Sequence, residues 1–96
     1  MPRRFRNLVG PRIREFREKM GLTQDHLAAR LQNAGLENFD RVVVAKVESQ
    51  IRSVFDFEAI ILANVLKRDL SEILGFSHAE VKSALPDLLK GHRGSK

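Results

Sequence analysis

Two cations, Arg41 and Lys46, stand in the run Arg41-Val42-Val43-Val44-Ala45-Lys46-Val47-Glu48, with Ser49 directly after it. Val44 and Val47 lie three residues apart, the spacing of one helix face, and Asp40 before the run is a residue type that caps helix starts. At about 100° per residue, the face opposite these valines carries Val42, Ala45, Lys46 and Ser49, and Arg41 stands at the first turn. An arginine so placed can donate two parallel hydrogen bonds to the O6 and N7 of a guanine. Lys46 can donate to guanine or to phosphate, whereas Val42 and Ala45 offer only apolar contact to a thymine methyl or a sugar. The same residues also fit an ordinary solvated helix face.

The elements that must position these groups can be read outward from them. The preceding stretch, Leu22 to Leu31, opens with the capping residue Thr23, carries Leu27, Ala28 and Leu31 on one face, and is stopped by Gly35. Two short helices, the second bearing cations on the face its core residues leave free, read as a helix-turn-helix. Upstream, Pro11 suits the first position of a helix that continues through Ile13, Phe16, Arg17 and Met20. Arg17 falls on that helix's apolar stripe, where an uncompensated charge would be costly. Downstream, the spacing predicts a helix over Ser53 to Leu66, with Asp56 as its cap and Ala59, Leu62, Ala63 and Leu66 facing inward. Lys67 and Arg68 would occupy its last turn, favourably for the helix dipole.

Leu70, Ile73 and Leu74 make a short fifth helix, ended by Gly75. Ser77-His78-Ala79-Glu80 has the form of a capping box and predicts a sixth helix, broken or restarted at Pro86. Gly91 to Lys96 reads as disordered. Val81, Leu85, Leu88 and Leu89 are spaced to pack on the bundle or on a second copy. The expected fold is therefore all-α: a compact five-helix bundle over residues 10–75, preceded by a basic arm (1–9) and followed by a helical tail (76–96).

These residues resemble the repressor-type helix-turn-helix family of phage Cro and the XRE regulators. The resemblance rests on Arg17, Gly21-Leu22-Thr23-Gln24, Leu27-Ala28, Leu31 and Val44-Ala45-Lys46-Val47-Glu48, then on Leu62-Ala63-Asn64-Val65-Leu66 and Leu70-Ser71-Glu72-Ile73-Leu74. It covers roughly residues 10 to 75. It implies a structural ion pair between Arg17 and Glu48, a phosphate contact from Gln24 at the start of the second helix, and backbone contacts from Arg52 and Ser53. Such contacts fix register without specifying sequence. The chain departs from the family in three places. The turn between Leu31 and Val44 is longer than usual, although a subclass with a Gly-Leu turn is similar. Gln50 stands where most relatives place a glycine, and Val42 and Val43 occupy positions that are usually polar.

Ninety-six residues suit one domain, which at this size can bury about 60–68% of its chain's surface. Apolar residues make up 43% and charged residues 30%, ordinary for a soluble globular chain. Without cysteine, disulfides and cysteine-bearing zinc modules are excluded. No run is long enough to cross a bilayer and no signal-peptide pattern is evident, so a cytoplasmic, nucleoid-associated protein is the expectation. The net charge of +5 is uneven: residues 1–19 carry seven Lys/Arg against two acids, residues 20–89 seven against ten. Phosphate attraction must therefore come from the ends and from chosen side chains. Arg3, Arg4 and Arg6 around Phe5 form an arm that can track phosphates or enter a minor groove, or else a solvated terminus.

Catalysis finds little support in this sequence. His26, His78 and His92 lack metal-ligand spacing, there is no glycine-rich phosphate loop, and Asp25 and His26 point in different directions on a helix. No cofactor or metal is implied. With no Tyr or Trp, and most of the six phenylalanines expected in the core, a stacking surface for single strands is not expected. Two functions remain. One is a sequence-specific regulator of double-stranded DNA, acting as a homodimer on a two-fold site. The other is a protein-interaction module on the same fold, adaptor or antitoxin-like, using the Val42–Val43 surface.

Overall fold

The computed structural model describes residues 5–75. The expected sixth helix, its Ser77–Glu80 capping box, Pro86 and the apolar set Val81, Leu85, Leu88 and Leu89 lie outside the described residues, as does Arg4. Five helices follow one another: α1 (Gly10–Lys19), α2 (Gln24–Asn33), α3 (Arg41–Glu48), α4 (Asp56–Val65) and α5 (Leu70–Leu74). No strand occurs among the described residues. α3 packs against α2 and α1, α5 against α4 and α1, and α2 against α4. The bundle is all-α, as the sequence predicts.

Each start has a local cause. Thr23 Oγ1 accepts from the His26 N–H at 3.0 Å while His26 Nδ1 accepts from the Thr23 N–H at 3.2 Å, a reciprocal cap. His26 is thus a capping residue. Asp40 Oδ1 accepts from the Val43 N–H at 2.9 Å and starts α3. α1 begins at Gly10, one residue before Pro11, and the Gly10 N–H is capped by Asn7 Oδ1 at 2.8 Å.

α4 departs from expectation at both ends. It begins at Asp56, so Ser53 to Phe55 are not helical, and Asp56 is its first residue, not its cap. The Phe55 N–H instead donates to Glu58 Oε1 at 3.0 Å. Asp56 Oδ1 accepts only from its neighbour, the Phe57 N–H. At the other end α4 stops at Val65, and Lys67 lies beyond the last turn in the left-handed region, φ 57°. Its inner face is nonetheless Ala59, Leu62, Ala63 and Leu66, all buried.

The core gathers Ile13 and Phe16 of α1, Leu27, Ala28 and Leu31 of α2, Val44 and Val47 of α3, the inner face of α4 and Ile73 of α5. The long turn between α2 and α3 contributes its own residues, Leu36 and Phe39, with Phe39 1% exposed. Gln32 Nε2 donates to the Phe39 carbonyl at 3.1 Å, tying the turn back to α2. The extra length is therefore an ordered, core-filling turn. Two of the six phenylalanines lie outside the core: Phe55 is 59% exposed and Phe57 53%, their rings stacked at 5.8 Å. Phe57 lies two residues, about 200°, from Ala59 and so projects from the opposite side of α4. Ile60 shares that outer face and is also exposed.

Four helices close in the same way. After α1, α2, α3 and α4 a residue with positive φ (Gly21, Gly35, Gln50 and Lys67) is followed by one whose N–H reaches back to close the last turn. Glycine adopts that conformation without cost, whereas a residue with a Cβ is strained there. Lys67→Gly is expected to raise stability by about 1 kcal/mol. Chemical denaturation checks it, and an unchanged or lower midpoint would contradict the assignment of strain at Lys67.

Candidate nucleic-acid interface

The interface begins with what holds α3 in place. Arg17 of α1 reaches Glu48 at the end of α3 with both arms of its guanidinium: Nε to Oε2 at 2.6 Å and Nη2 to Oε1 at 3.0 Å. Both residues are 8% exposed. Arg17 Nη1 donates to the Leu22 carbonyl at 2.8 Å, and Gln24 Nε2 to Glu48 Oε1 at 3.1 Å. One carboxylate and one guanidinium thus join α1, the start of α2 and the end of α3. The hydrogen bond that Arg17 donates to Glu48, outweighing desolvation, keeps the guanidinium even more firmly protonated than usual. Planar, bidentate pairing is what arginine does better than lysine.

A second pair, buried on its Glu58 side and half-buried on its Arg52 side, follows α3. Arg52 donates to Glu58 of α4 through Nη1 at 2.9 Å and Nη2 at 3.2 Å, and its guanidinium lies 4.7 Å over the ring of Phe39. Burial alone pushes the Glu58 carboxyl up, but the Arg52 hydrogen bond, the Phe55 N–H and the Arg52 charge hold it below its ordinary range. The sequence holds no simple signal for this pair, whose partners stand six apart across a helix start. Among the described residues no buried side-chain nitrogen or oxygen lacks a partner.

On the outer face of α3, Arg41, Val42 and Lys46 are exposed, Ala45 is half-buried, and Ser49 is exposed with its hydroxyl donating to the Ala45 carbonyl at 2.7 Å. Val43 is half-buried against the core, so the exposed apolar surface of α3 is Val42 alone and not a Val42–Val43 pair. Arg14, Lys19, Arg52 and Arg68 each meet a carboxylate, as Arg17 does. Among the described residues Arg41, Lys46 and Arg6 make no such pair, and neither do Arg12, Arg30 and Lys67 elsewhere on the bundle. Gln24 is fastened to Glu48, and Ser53 is exposed with its carbonyl accepting from Arg52.

The residues that sequence reasoning missed lie at the arm. Asn7, 9% exposed, donates through Nδ2 to the Val47 carbonyl at 3.0 Å and the Arg52 carbonyl at 2.8 Å. The Arg6 N–H donates to the Gln50 carbonyl at 2.8 Å, and Gln50 Nε2 to the Asn7 carbonyl at 3.1 Å. Gly10 packs so closely on the Val47 and Glu48 carbonyls that a side chain there would collide with backbone. A lone asparagine in a basic arm gives no sequence signal of burial.

This architecture is similar to that in a crystal structure of the DNA-binding domain of BldD: 22% identity, covering 77% of this chain and 99% of that one, with a TM-score of 0.59. At that identity the likeness is one of fold, a helix-turn-helix-type bundle. No family model matches the sequence. No curated protein sequence matches it either. Among the described residues no helix is long and apolar enough to cross a membrane, and no three His, Asp or Glu side chains are grouped to hold a metal ion.

Removing either Arg17 or Glu48 leaves the other charge buried alone, an expected loss of about 3–5 kcal/mol for each alanine variant. The double variant should lose clearly less than the sum. Additive losses in denaturant titrations would contradict the coupling. For Glu58, a carboxyl held low in the folded state contributes stability above its ordinary value of 4.5 and loses it as pH falls through the lower folded value. Glu58→Gln should therefore be less stable at neutral pH and show a shallower loss on acidification. An equally steep acid limb would assign that loss to other carboxyls.

Proposed function

We propose that this chain is a sequence-specific double-stranded-DNA-binding regulator of the Cro and XRE repressor type, presenting α3 to the major groove as a homodimer on a two-fold site. One observation carries this reading. Among the described residues the outer face of α3 keeps two charges, Arg41 and Lys46, unpaired on one short helix, while Arg14, Arg17, Lys19, Arg52 and Arg68 are matched to carboxylates. The unpaired Arg12, Arg30 and Lys67 stand singly elsewhere on the bundle. Unpaired cations on a rigid, exposed helix are available to phosphate and to base edges.

Arg41 takes the base-reading role at the first turn, with Val42 and Ala45 against a thymine methyl or sugar and Lys46 on guanine or phosphate. Ser49 closes that face. Gln24, held by Glu48 through one N–H, retains a second for a phosphate near the start of α2. Arg52 and Ser53 lie beyond the end of α3 as backbone contacts, and Arg6, with Arg4 before it in sequence, adds charge from the arm. The Glu58 carboxylate offsets the Arg52 charge. Its effect on the salt slope is therefore less than the roughly one unit of an unpaired cation, and Arg52→Ala acts mainly through stability.

A second reading, a partner-binding module on the same fold, is favoured by the exposed Phe57 and Ile60 of α4, with Phe55 just before it, rather than by α3. Selection of bound sequences from a random duplex library separates the two, because only the regulator enriches a motif. On the selected site Arg41→Ala should cost about 1–3 kcal/mol and relax preference at one base pair. An even loss across all duplexes would remove Arg41 from base reading, and no enriched motif would favour the partner-binding module.

A further inference from the structure

Gln50 pays a conformational cost that glycine would avoid. Its φ is 65°, in the left-handed region, as is that of Lys67 at 57°. The two residues close their helices with the same pattern of backbone hydrogen bonds: Gln50 N–H to the Val47 carbonyl and Ile51 N–H to the Lys46 carbonyl, Lys67 N–H to the Asn64 carbonyl and Arg68 N–H to the Ala63 carbonyl. Their side chains differ. The Lys67 side chain is exposed and makes no bond among the described residues, whereas the Gln50 amide crosses to the Asn7 carbonyl at 3.1 Å.

The Gln50 bond is part of a closed set. The Gln50 carbonyl accepts from the Arg6 N–H at 2.8 Å, so Gln50 grips the chain on both sides of the Arg6–Asn7 peptide bond. Asn7 then uses its whole side chain: both amide hydrogens on the Val47 and Arg52 carbonyls, and its oxygen on the Gly10 N–H. Every one of these partners belongs to the end of α3, the loop after it, or the start of α1. The Arg6 side chain is exposed and unpaired among the described residues, and its backbone is bonded one residue from Ser49, where the outer face of α3 ends.

We infer that Gln50 and Asn7 form a latch holding the basic arm at the C-terminal end of α3, so that Arg6 is carried on the recognition helix as part of one DNA-binding surface. Gln50 is then a positioning residue, and its strained backbone is retained because a glycine would bring no side chain to the Asn7 carbonyl. The arm moves with α3 instead of searching for phosphate independently, which lowers the ordering cost of its contact. The part of the inference that concerns DNA rests on the duplex-binding function proposed above; the latch itself does not.

Gln50→Gly opens the latch while relieving strain, so it should fold. Lys67→Gly relieves the same strain elsewhere and is the control. Asn7→Ala is the harsher variant, since it strips three backbone groups, the Val47 and Arg52 carbonyls and the Gly10 N–H, of their partner. Brief trypsin digestion under native conditions, read by mass spectrometry, reports cleavage after Arg6. The latch predicts cleavage there several-fold faster in Gln50→Gly than in the wild-type chain, and unchanged in Lys67→Gly. Duplex binding by anisotropy over a salt series should show the slope reduced by about one unit in both Gln50→Gly and Arg6→Gln. The combined variant should lose no more than either alone, because Gln50 acts through Arg6.

Unchanged cleavage in Gln50→Gly would overturn the latch. Faster cleavage with an unaltered salt slope, or additive losses in the combined variant, would overturn the placing of Arg6 on the same surface. If the wild-type chain bound no duplex, the DNA part would fall together with the proposed function, and the cleavage comparison would still decide the latch.

Discussion

The Arg17–Glu48 pair is the constraint on which the arrangement depends. α3 is eight residues long, too short to be stable alone, and its helical state comes from what it packs against. Val44 and Val47 supply the apolar part of that packing, but burial is non-directional and leaves rotation and tilt loosely specified. The bidentate pair at the end of α3 supplies direction. It sets Glu48 against α1 while Gln24 ties the same carboxylate to α2, so the outward set of α3 side chains is fixed relative to the rest of the bundle. Gly10 permits the close approach of α1 that this requires. An exposed face held by such contacts is pre-ordered, and what binds to it meets little conformational loss.

The charge distribution follows from the same logic. A chain of net charge +5 has more cations than its carboxylates can match, and the fold decides which are matched. The buried guanidinium of Arg17 is neutralised by Glu48, and the buried carboxylate of Glu58 by the half-buried Arg52, because an unpaired charge at Arg17 or Glu58 would be costly. Surface pairs on α1 take up Arg14 and Lys19. Among the described residues Arg41, Lys46 and the arm's Arg6 remain unmatched at or near α3. The middle of the sequence, close to neutral overall, thereby still presents a locally cationic helix. Composition averaged over a segment conceals this; the pairing pattern exposes it.

Most of the bundle was legible because its signals are local. Thr23, Asp40, Gly35 and Gly75 mark helix ends through hydrogen bonding and backbone geometry that operate within four or five residues. The inner faces follow from period. What was not legible depends on contacts distant in sequence. Asn7 is buried by the end of α3, forty residues away in the case of Val47, and no pattern in the arm foretells it. The late start of α4 has a local cause that no periodic pattern reveals. Glu58, drawn inward by Arg52, accepts from the Phe55 N–H and takes the capping role that Asp56 was expected to fill. That choice puts Phe55 and Phe57 outside. Phe39 fills the turn's core from a stretch with no periodicity to reveal it. At the proposed interface, residue types and spacing located the outer face of α3, while the engagement of Arg52 by Glu58 and the half-burial of Val43 required the structure.

The central claim is that the outer face of α3, with the arm beside it, is the surface that meets duplex DNA. Backbone amide chemical-shift mapping during titration with a selected duplex tests it most directly, since every described residue except proline reports at once. Shifts concentrated at Arg41, Val42, Ala45, Lys46 and Ser49, at Arg6 and at the start of α2, with Phe57 to Asn64 of α4 unmoved, are the predicted result. Shifts confined to the exposed Phe57–Ile60 face of α4, leaving α3 unchanged, would contradict it.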